Sequence, residues 1–133
     1  MTTPPMLMPD AVAVTAGYLR DVLVARGVTV PVGSRVPSPR PPRFVRIERI
    51  GGPTNTVVTD RPRLDVHCWG SSEEDAHDLM QLCRALLGAA RGSYGGTVLA
   101  RPVTGGPQFL PDAETGAARW AFTFDITMRG QTL

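Results

Sequence analysis

The sequence contains no lysine. All 14 basic residues are arginine, and together with 12 acidic residues they leave a formal net charge of only +2 at pH 7. A charge this small does not by itself indicate nucleic-acid binding. Arginine in place of lysine, beside abundant alanine, glycine, proline and valine, is typical of a GC-rich genome. The charge composition therefore informs about origin and says little about function.

Long apolar runs are also missing. No stretch approaches the roughly 18 apolar residues that suggest a membrane-spanning helix. The first ten residues, MTTPPMLMPD, show no basic segment followed by an apolar one, so we expect no signal peptide. With 133 residues, 42% of them hydrophobic, the chain is expected to form a single domain over residues 1–133 with a core of its own.

Cysteine is scarce. Cys68 and Cys83 are the only two, and both fall on predicted core faces, which favours buried free thiols over a disulfide. His67 and Cys68 are neighbours in a predicted strand and point to opposite faces, while His77 and Cys83 lie on nearly opposite sides of a predicted helix. This spacing predicts no zinc site.

Common catalytic and cofactor-binding motifs are missing as well. The chain has no GxGxxG, no GKS or GKT and no GxSxG sequence. We interpret the strand carboxylates Glu48, Asp65 and Asp125 as ordinary polar-face residues or arginine partners. Trp69, at the end of a strand, is interpreted as a rim or interface residue. The sequence predicts no enzyme, no cofactor and no metal site.

The clearest pattern that is present lies in residues 62–92. Apolar residues at every second position from Leu64 to Cys68 predict a strand. After a Gly-Ser-Ser turn, Ser71 is the expected N-cap of a helix, with Glu74 three residues later as in a capping box. Apolar residues then recur every three or four positions. We expect an amphipathic helix of about 19 residues, roughly 28 Å long, that lies across a sheet.

The remaining elements complete the predicted fold. Residues 10–26 predict a first helix, and strands are expected at 43–50, 97–103 and 119–129. Pro102 predicts that the strand at 97–103 lies at an edge of the sheet. The strands at 43–50 and 64–69 are predicted to pair antiparallel. The result is an α+β fold with a mixed or mostly antiparallel sheet of about four strands and two helices packed on one face.

The first predicted helix is apolar on more than one face. Beside its core stripe it carries Val14, Tyr18 and Val24 elsewhere on the helical wheel. Such a helix lies deep inside a domain or meets another subunit, and both alternatives stay open. The exposed Ala85 and Gly88 side of the second helix is another candidate subunit contact.

Two segments are expected to lack regular structure. Residues 1–9 predict a loose N-terminal arm. Residues 31–43 contain five prolines in 13 residues, which indicates an extended, polyproline-like path. This Pro-rich segment is either an arm that reaches a neighbouring subunit, with Arg35 and Arg40 as contact residues, or a mobile surface loop.

Three stretches resemble the tail terminator proteins of long-tailed, siphovirus-type bacteriophages, in particular those of actinobacterial hosts. They are VTDRPRLDVHCWGSSEEDAHDLMQLCRALL, GPQFLPDAETGAARWAFTFDITMRG and RFVRIERIGGP. The shared features are a DRP-x-L-x-V strand, an acidic helix with paired leucines, and an aromatic closing strand that ends in Arg-Gly.

The resemblance implies a structural virion protein without catalytic residues. Members of this family form a ring, typically six-fold, that caps the head-proximal end of the tail tube, stops its growth and meets the head connector. The implied partners are other copies of the chain, the tail tube protein and the connector or neck protein. The implied location is the virion, after assembly in the host cytoplasm.

DNA passes through such a ring. Arg46, Arg49 and Arg101 are therefore candidate channel residues, because they lie on predicted strands or at their ends, where they would screen phosphates without reading bases. The alternative is that they are solvated and pair with carboxylates such as Glu48 or Asp125. Two other functions stay open: a head–tail joining or tail completion protein, and a small α+β enzyme or ligand-binding domain.

Overall fold

The computed structural model describes residues 4–53 and 55–133. These residues form two helices, α1 (Ala11–Val24) and α2 (Glu73–Gly88), and ten strands. The strands are β1 (Met6–Leu7), β2 (Val32–Gly33), β3 (Phe44–Arg49), β4 (Thr59–Asp60), β5 (Arg63–Gly70), β6 (Gly92–Tyr94), β7 (Thr97–Thr104), β8 (Gln108–Phe109), β9 (Ala118–Arg129) and β10 (Gln131–Thr132).

Eight of the strands form one sheet that curls into a half-barrel. Its order is β2-β3-β5-β9-β7-β6, and β4 and β8 pair with β9 as well. Strand β9 is central because its 12 residues bind β5 and β4 on one side and β7 and β8 on the other. All pairs are antiparallel except β2 with β3. The predicted antiparallel pairing of the strands at 43–50 and 64–69 is confirmed.

The predicted sheet of about four strands with two helices on one face is wrong. The four long strands were detected because five or more residues are enough to show an alternation of apolar and polar side chains. Strands β2, β4, β6 and β8 have two or three residues each, so they carry no readable period. They extend the sheet until it curls around its own core.

The core lies between the concave face of this sheet and the two helices. Strand β9 contributes every second residue, Phe122, Phe124, Ile126 and Met128, each at most 2% exposed. Helix α2 faces them with a fully buried stripe of Leu79, Met80, Cys83 and Leu87. Each such side chain contributes roughly 1.5–3 kcal/mol by burial, so this layer supplies most of the driving force for folding.

Helix α1 bridges the two ends of the sheet. The Arg20 guanidinium donates a hydrogen bond to the carbonyl of Val32 in β2 at 2.7 Å, and the Tyr94 hydroxyl of β6 donates one to the Asp21 carboxylate at 2.6 Å. The ring of Tyr18 meets the ring of Tyr94 edge-on, with centroids 5.7 Å apart. Since β2 and β6 are the first and last strands in the order, α1 closes the open side of the half-barrel.

Helix α2 begins one residue later than expected. Its N-cap is Ser72, whose hydroxyl accepts a hydrogen bond from the Asp75 backbone N–H at 3.0 Å. Asp75 in turn accepts from the backbone N–H of Ser71 at 2.9 Å. Asp75 takes the place that a capping box gives to Glu or Gln, so the prediction of Ser71 with Glu74 is wrong by one position.

Strand β6 covers the outer side of β7 only over Thr97–Leu99. The part of β7 that contains Pro102 therefore lies at an edge within the described ranges, as the proline predicts. Pro102 is tolerated because the register of β7 against β9 shifts between Ala100 and Val103. Arg101 lies in this bulge and adopts a positive φ of 56°.

The cysteines, the N-terminal arm and the helices can also be compared with the sequence predictions. Cys68 and Cys83 are buried and free, as predicted, and burial together with the neighbouring Cys83 raises the pKa of the Cys68 thiol well above its usual value. The N-terminal arm contains β1, which pairs with β10 at the other end of the chain. Within the described ranges, neither helix is long and apolar enough to cross a membrane.

The contact between α1 and β6 makes a specific prediction for Gly17. Replacement of a helical glycine by alanine usually stabilises by about 1 kcal/mol, but a Cβ atom on Gly17 would lie 3.0 Å from the Tyr94 hydroxyl. We expect Gly17→Ala to give little or no gain in the wild-type protein and about 1 kcal/mol in a Tyr94→Ala background. Urea unfolding of the wild type, Gly17→Ala, Tyr94→Ala and the double variant measures the stability gained from alanine in each background. An equal gain in the two backgrounds would contradict the contact between α1 and β6.

Candidate assembly surfaces

The second apolar face of α1 is largely occupied within the chain. Val14 and Tyr18 are half-buried against the core, and Tyr18 also packs on Tyr94. Val24, at the end of the helix, is 53% exposed. The helix is therefore apolar on more than one side because it touches both ends of the sheet. Of the three predicted interface residues on this helix, Val24 has the most exposed side chain.

Ala85 and Gly88 on α2 line a shallow groove of about 390 Å3 together with Gln81, Arg84 and Thr104 of β7. The guanidinium of Arg84 donates to the carbonyl of Gly105 at 3.1 Å and so holds α2 beside the end of β7. These small residues leave the groove open at the border between helix and sheet. Two of the predicted interface residues thus lie beside the outer side of β7.

The Pro-rich segment is anchored to its own chain. Arg40 forms an ion pair with Asp112 at 2.9 Å and lies over the ring of Phe44, 5.7 Å from its centroid. Phe44 stacks on Trp69 with ring centroids 4.4 Å apart, and the Trp69 indole N–H donates to Asp112 at 3.1 Å. This cluster forms a second, small core on the convex face of the sheet.

Trp69 is therefore misplaced by the sequence interpretation. It is 2% exposed rather than at a rim, because the segments around Arg40 and Asp112 fold over it. Arg40, a predicted interface residue, makes contacts within the chain, whereas Arg35 is exposed.

Asp112 is the polar centre of this cluster. Besides Arg40 and Trp69, its carboxylate accepts the backbone N–H groups of Glu114 at 2.9 Å and Thr115 at 3.3 Å. These donors, the Arg40 guanidinium first among them, hold the pKa of Asp112 well below its usual range. The carboxylate stays charged at neutral pH and ties the turn at 111–117 to the Pro-rich segment.

The three predicted channel arginines do not form one group. Arg46 pairs with Glu48 at 2.8 Å, and Arg49 binds Asp60 through two hydrogen bonds of 2.8 and 3.0 Å. The pairing of Arg46 with Glu48 is the alternative that the sequence interpretation kept open. Arg101 lies in the β7 bulge on the other side of β9 and is exposed.

Other strand carboxylates behave as the sequence interpretation expected. Asp125 accepts two hydrogen bonds from Arg63 at 3.0 and 3.1 Å across the β5–β9 pair. The imidazole of His67 lies 3.8 Å from Asp65. Burial and the nearby Arg119 lower the pKa of His67. Among the residues that the structure describes, no three His, Cys, Asp or Glu side chains are grouped as metal ligands would be.

The sheet has an unpaired strand edge on each side of β9. Strand β2 pairs only with Val45 and Arg46, so within the described ranges the outer side of residues 47–49 in β3 lacks a neighbouring strand. We call this segment the β3 edge. A groove of about 620 Å3 separates it from α1 and is lined by Val12, Ala13, Ala16 and Ile47, with Arg20, Arg46 and Arg49 among its polar residues.

The second edge belongs to β7 and β8. Strand β6 ends at its pairing with Leu99, and over the part of the chain that is described no strand covers the outer side of residues 103–110. We call this segment the β8 edge. It carries three exposed apolar side chains, Val103 at 51%, Phe109 at 38% and Leu110 at 39%. Its strand residues are Val103 and Thr104 of β7 and the two residues of β8, with Gly105-Gly106-Pro107 between them. An unpaired edge with exposed apolar side chains can pair with another chain.

Sequence reasoning missed both edges. The β8 edge has a weak signal in sequence, the run Gln108–Leu110 between Pro107 and Pro111, but three residues are too few to show the period of a strand. The β3 edge has no signal in sequence, because it depends on how few residues of β2 pair with β3.

A scan of the sequence against protein-family models finds no match, and a search of curated proteins finds none either. The functional proposal therefore depends on the residues and surfaces described above, together with the resemblance of the three sequence stretches.

The Asp112 cluster predicts a pH dependence. Because its pKa in the folded protein is depressed, Asp112 contributes stability above the unfolded-state value of about 3.9, and this contribution is lost as the pH falls below it. We expect Asp112→Asn to cost about 2 kcal/mol at pH 7, as for hydrogen bonds to a charged group, and less as the pH falls from about 4 to 2. Urea unfolding of both proteins at several pH values measures this difference. If the cost of the Asp112→Asn substitution does not change with pH, the charge of Asp112 is not what stabilises the folded protein.

Proposed function

We propose that this protein is a bacteriophage tail terminator, which assembles into a ring on the head-proximal end of the tail tube. The observation that carries the proposal is the pair of unpaired strand edges on opposite sides of β9, one beside a groove and one bearing exposed apolar side chains. The resemblance of residues 43–53, 58–87 and 106–130 to that family supplies the identity of the ring.

A ring needs two different contact patches on each subunit. In a cyclic assembly one patch of a subunit binds a different patch of the next, and the series closes on itself. The β3 edge and the β8 edge meet this requirement because they differ in shape and chemistry. A protein with one self-complementary patch would instead form a two-fold dimer.

The exposed apolar residues support self-association. Val103, Phe109 and Leu110 lie in one segment of the chain, and each is more than a third exposed. Exposed apolar side chains along an unpaired strand edge favour contact with another chain. Burial of such side chains in a subunit contact would contribute roughly 25 cal/mol for each Å2 of apolar surface removed from water.

The remaining parts of the proposal concern partners. One face of the ring would stop polymerisation of the tail tube protein, and the other would dock the head connector or neck protein. DNA would cross the opening with transient, non-specific contacts to exposed arginines such as Arg35 and Arg101. Exposed Val57, at 61%, lies in the loop between β3 and β4 and is a candidate contact with one of these partners.

The mass of the purified protein in solution tests the proposal. We expect a single large species, a closed hexamer in the form that the family implies, whose fraction rises with concentration in sedimentation velocity and mass photometry. Particle images of that species should show a ring with a central hole. A monomer at every concentration, or a compact two-fold dimer, would contradict the ring.

A Val103→Lys variant is the matched test of the contact patch. Val103 is 51% exposed and lies opposite Asp125 of β9, so a positive charge there avoids repulsion and should leave the folded monomer nearly unchanged, within about 0.5 kcal/mol. The same charge in an apolar subunit contact should reduce the ring fraction at least tenfold. Val98→Lys is the control, because Val98 is similarly exposed, at 46%, and lies on the part of β7 that β6 covers.

A further inference from the structure

We propose that the sheet continues from one copy of this chain to the next, because the β8 edge of one subunit pairs through its backbone with the β3 edge of its neighbour. This inference rests on the proposed ring and specifies the contact that builds it. The occupant of the groove between α1 and β3 is therefore strand β8 of a second copy.

The backbone of the β3 edge is available for this pairing. The N–H of Val45 donates to Pro31 on the outer side of β3, and the N–H of Ile50 donates to Arg63 on the β5 side. Backbone groups point to the two sides of a strand alternately, so Ile47 and Arg49 present theirs on the outer side. In the parallel pairing of Gly33 with Arg46 the N–H of Ile47 faces the carbonyl of Gly33, so the Ile47 carbonyl and both backbone groups of Arg49 remain for a further strand. Strand β2 ends opposite Arg46, which leaves the position of Arg49 beyond its reach.

The backbone of the β8 edge is arranged in the same way. The N–H of Leu110 donates to the carbonyl of Arg119 in β9. Phe109, one residue earlier, therefore turns its N–H and C=O away from β9 and towards the open side. Its side chain packs on Trp120 with ring centroids 5.4 Å apart, which holds the strand straight while its edge remains free.

The groove beside the β3 edge has room for an added strand. Strands in a sheet lie about 4.8 Å apart, and an extended peptide that joins a sheet edge gains backbone hydrogen bonds along its length. Ala16 and Ile47 are buried in the core, so the groove presents mainly Val12, the exposed Ala13 and polar side chains to an added strand.

Charge does not by itself select the occupant of the groove. The lining contains Arg20, Arg46 and Arg49 and also Asp10 and Glu48, with Arg46 paired to Glu48 and Arg49 to Asp60. The segment 103–116 contains no basic residue, and beside the buried Asp112 its acidic residue is Glu114, which is exposed. The unpaired backbone of the two edges, rather than their charge, therefore specifies the contact.

These features specify a head-to-tail contact. The two edges flank β9 on opposite sides, with two strands between the β3 edge and the β8 edge in the order of the sheet. Each copy thus offers its β8 edge to one neighbour and the groove beside its β3 edge to the other. When this contact repeats around a closed ring, no strand edge is left unpaired.

Proline substitution tests the backbone pairing. Phe109→Pro removes an N–H that β9 does not use, so we expect a folded monomer with a thermal midpoint near that of the wild type and a loss of at least tenfold in ring fraction. Phe109→Val is the control, because it keeps the N–H and an apolar, β-favouring side chain. Its loss should stay within about threefold.

Cysteine cross-linking tests which edges meet. We would prepare Arg49→Cys and Phe109→Cys as separate proteins, since both native cysteines are buried. Under mild air oxidation the mixture should give a cross-linked dimer, and neither protein alone should, because a disulfide requires Cα atoms about 4.4–6.8 Å apart. Val24→Cys replaces Arg49→Cys in the control mixture.

The outcomes separate this inference from the proposed ring. If the wild type forms rings but the Phe109→Pro variant does so equally well, or the mixture does not cross-link, the edge contact is wrong and the ring stands. Cross-linking of either single variant with itself would indicate a two-fold contact and also overturn the inference. If the wild type stays monomeric at all concentrations, both fail. If the β8 edge instead pairs with a different protein, the chain would form a complex with that protein that depends on β8 and contains no ring. That result would overturn self-pairing alone.

Discussion

The structure depends on the position of α1 between the two ends of a curled sheet. Two consecutive residues of this helix, Arg20 and Asp21, bind strands that are separated by the whole width of the sheet. A helix is about 10 Å across with its side chains, so a sheet whose ends approach to that distance must be strongly curled. The curvature in turn encloses the core between β9 and α2. Tyr94 connects the sheet to this helix, because it belongs to the last strand and packs on Tyr18.

The same arrangement explains why strand edges remain free. The end strands β2 and β6 are two and three residues long, and they meet α1 where the half-barrel closes. Their longer neighbours, β3 and β7, extend beyond them and have no strand on that side within the described ranges. One extension borders a groove, and the other continues into β8 with exposed apolar side chains. A monomer would leave these edges open to unspecific pairing, whereas a head-to-tail assembly would pair every one of them.

The sequence was informative where patterns are long and uninformative where contacts are distant. Strands β3, β5, β7 and β9 and both helices have enough residues to show their period, so their existence was predictable. The two-residue strands are too short to show a period. The contact of Trp69 with Asp112 and that of α1 with Tyr94 join residues 43 and 73 positions apart, which no local pattern reveals. The apolar second face of α1 was predictable from the sequence, but its partner Tyr94 was not, because Tyr94 lies in a three-residue strand that is too short to show a period. Pro102 correctly indicated an edge, but the bulge beside it was not predictable, because sequence alone does not show a register shift.

The measurement that tests the central claim most directly is the length of tail tubes assembled with and without this protein. Under the proposed role, tail tube protein from the bacteriophage of origin would be polymerised at fixed concentration with increasing amounts of the protein, and tube lengths and ends would be measured in electron micrographs. The account predicts shorter tubes, each with one capped end that carries a ring. Unchanged lengths with unmodified ends, at concentrations where the protein is folded, would contradict a terminator role.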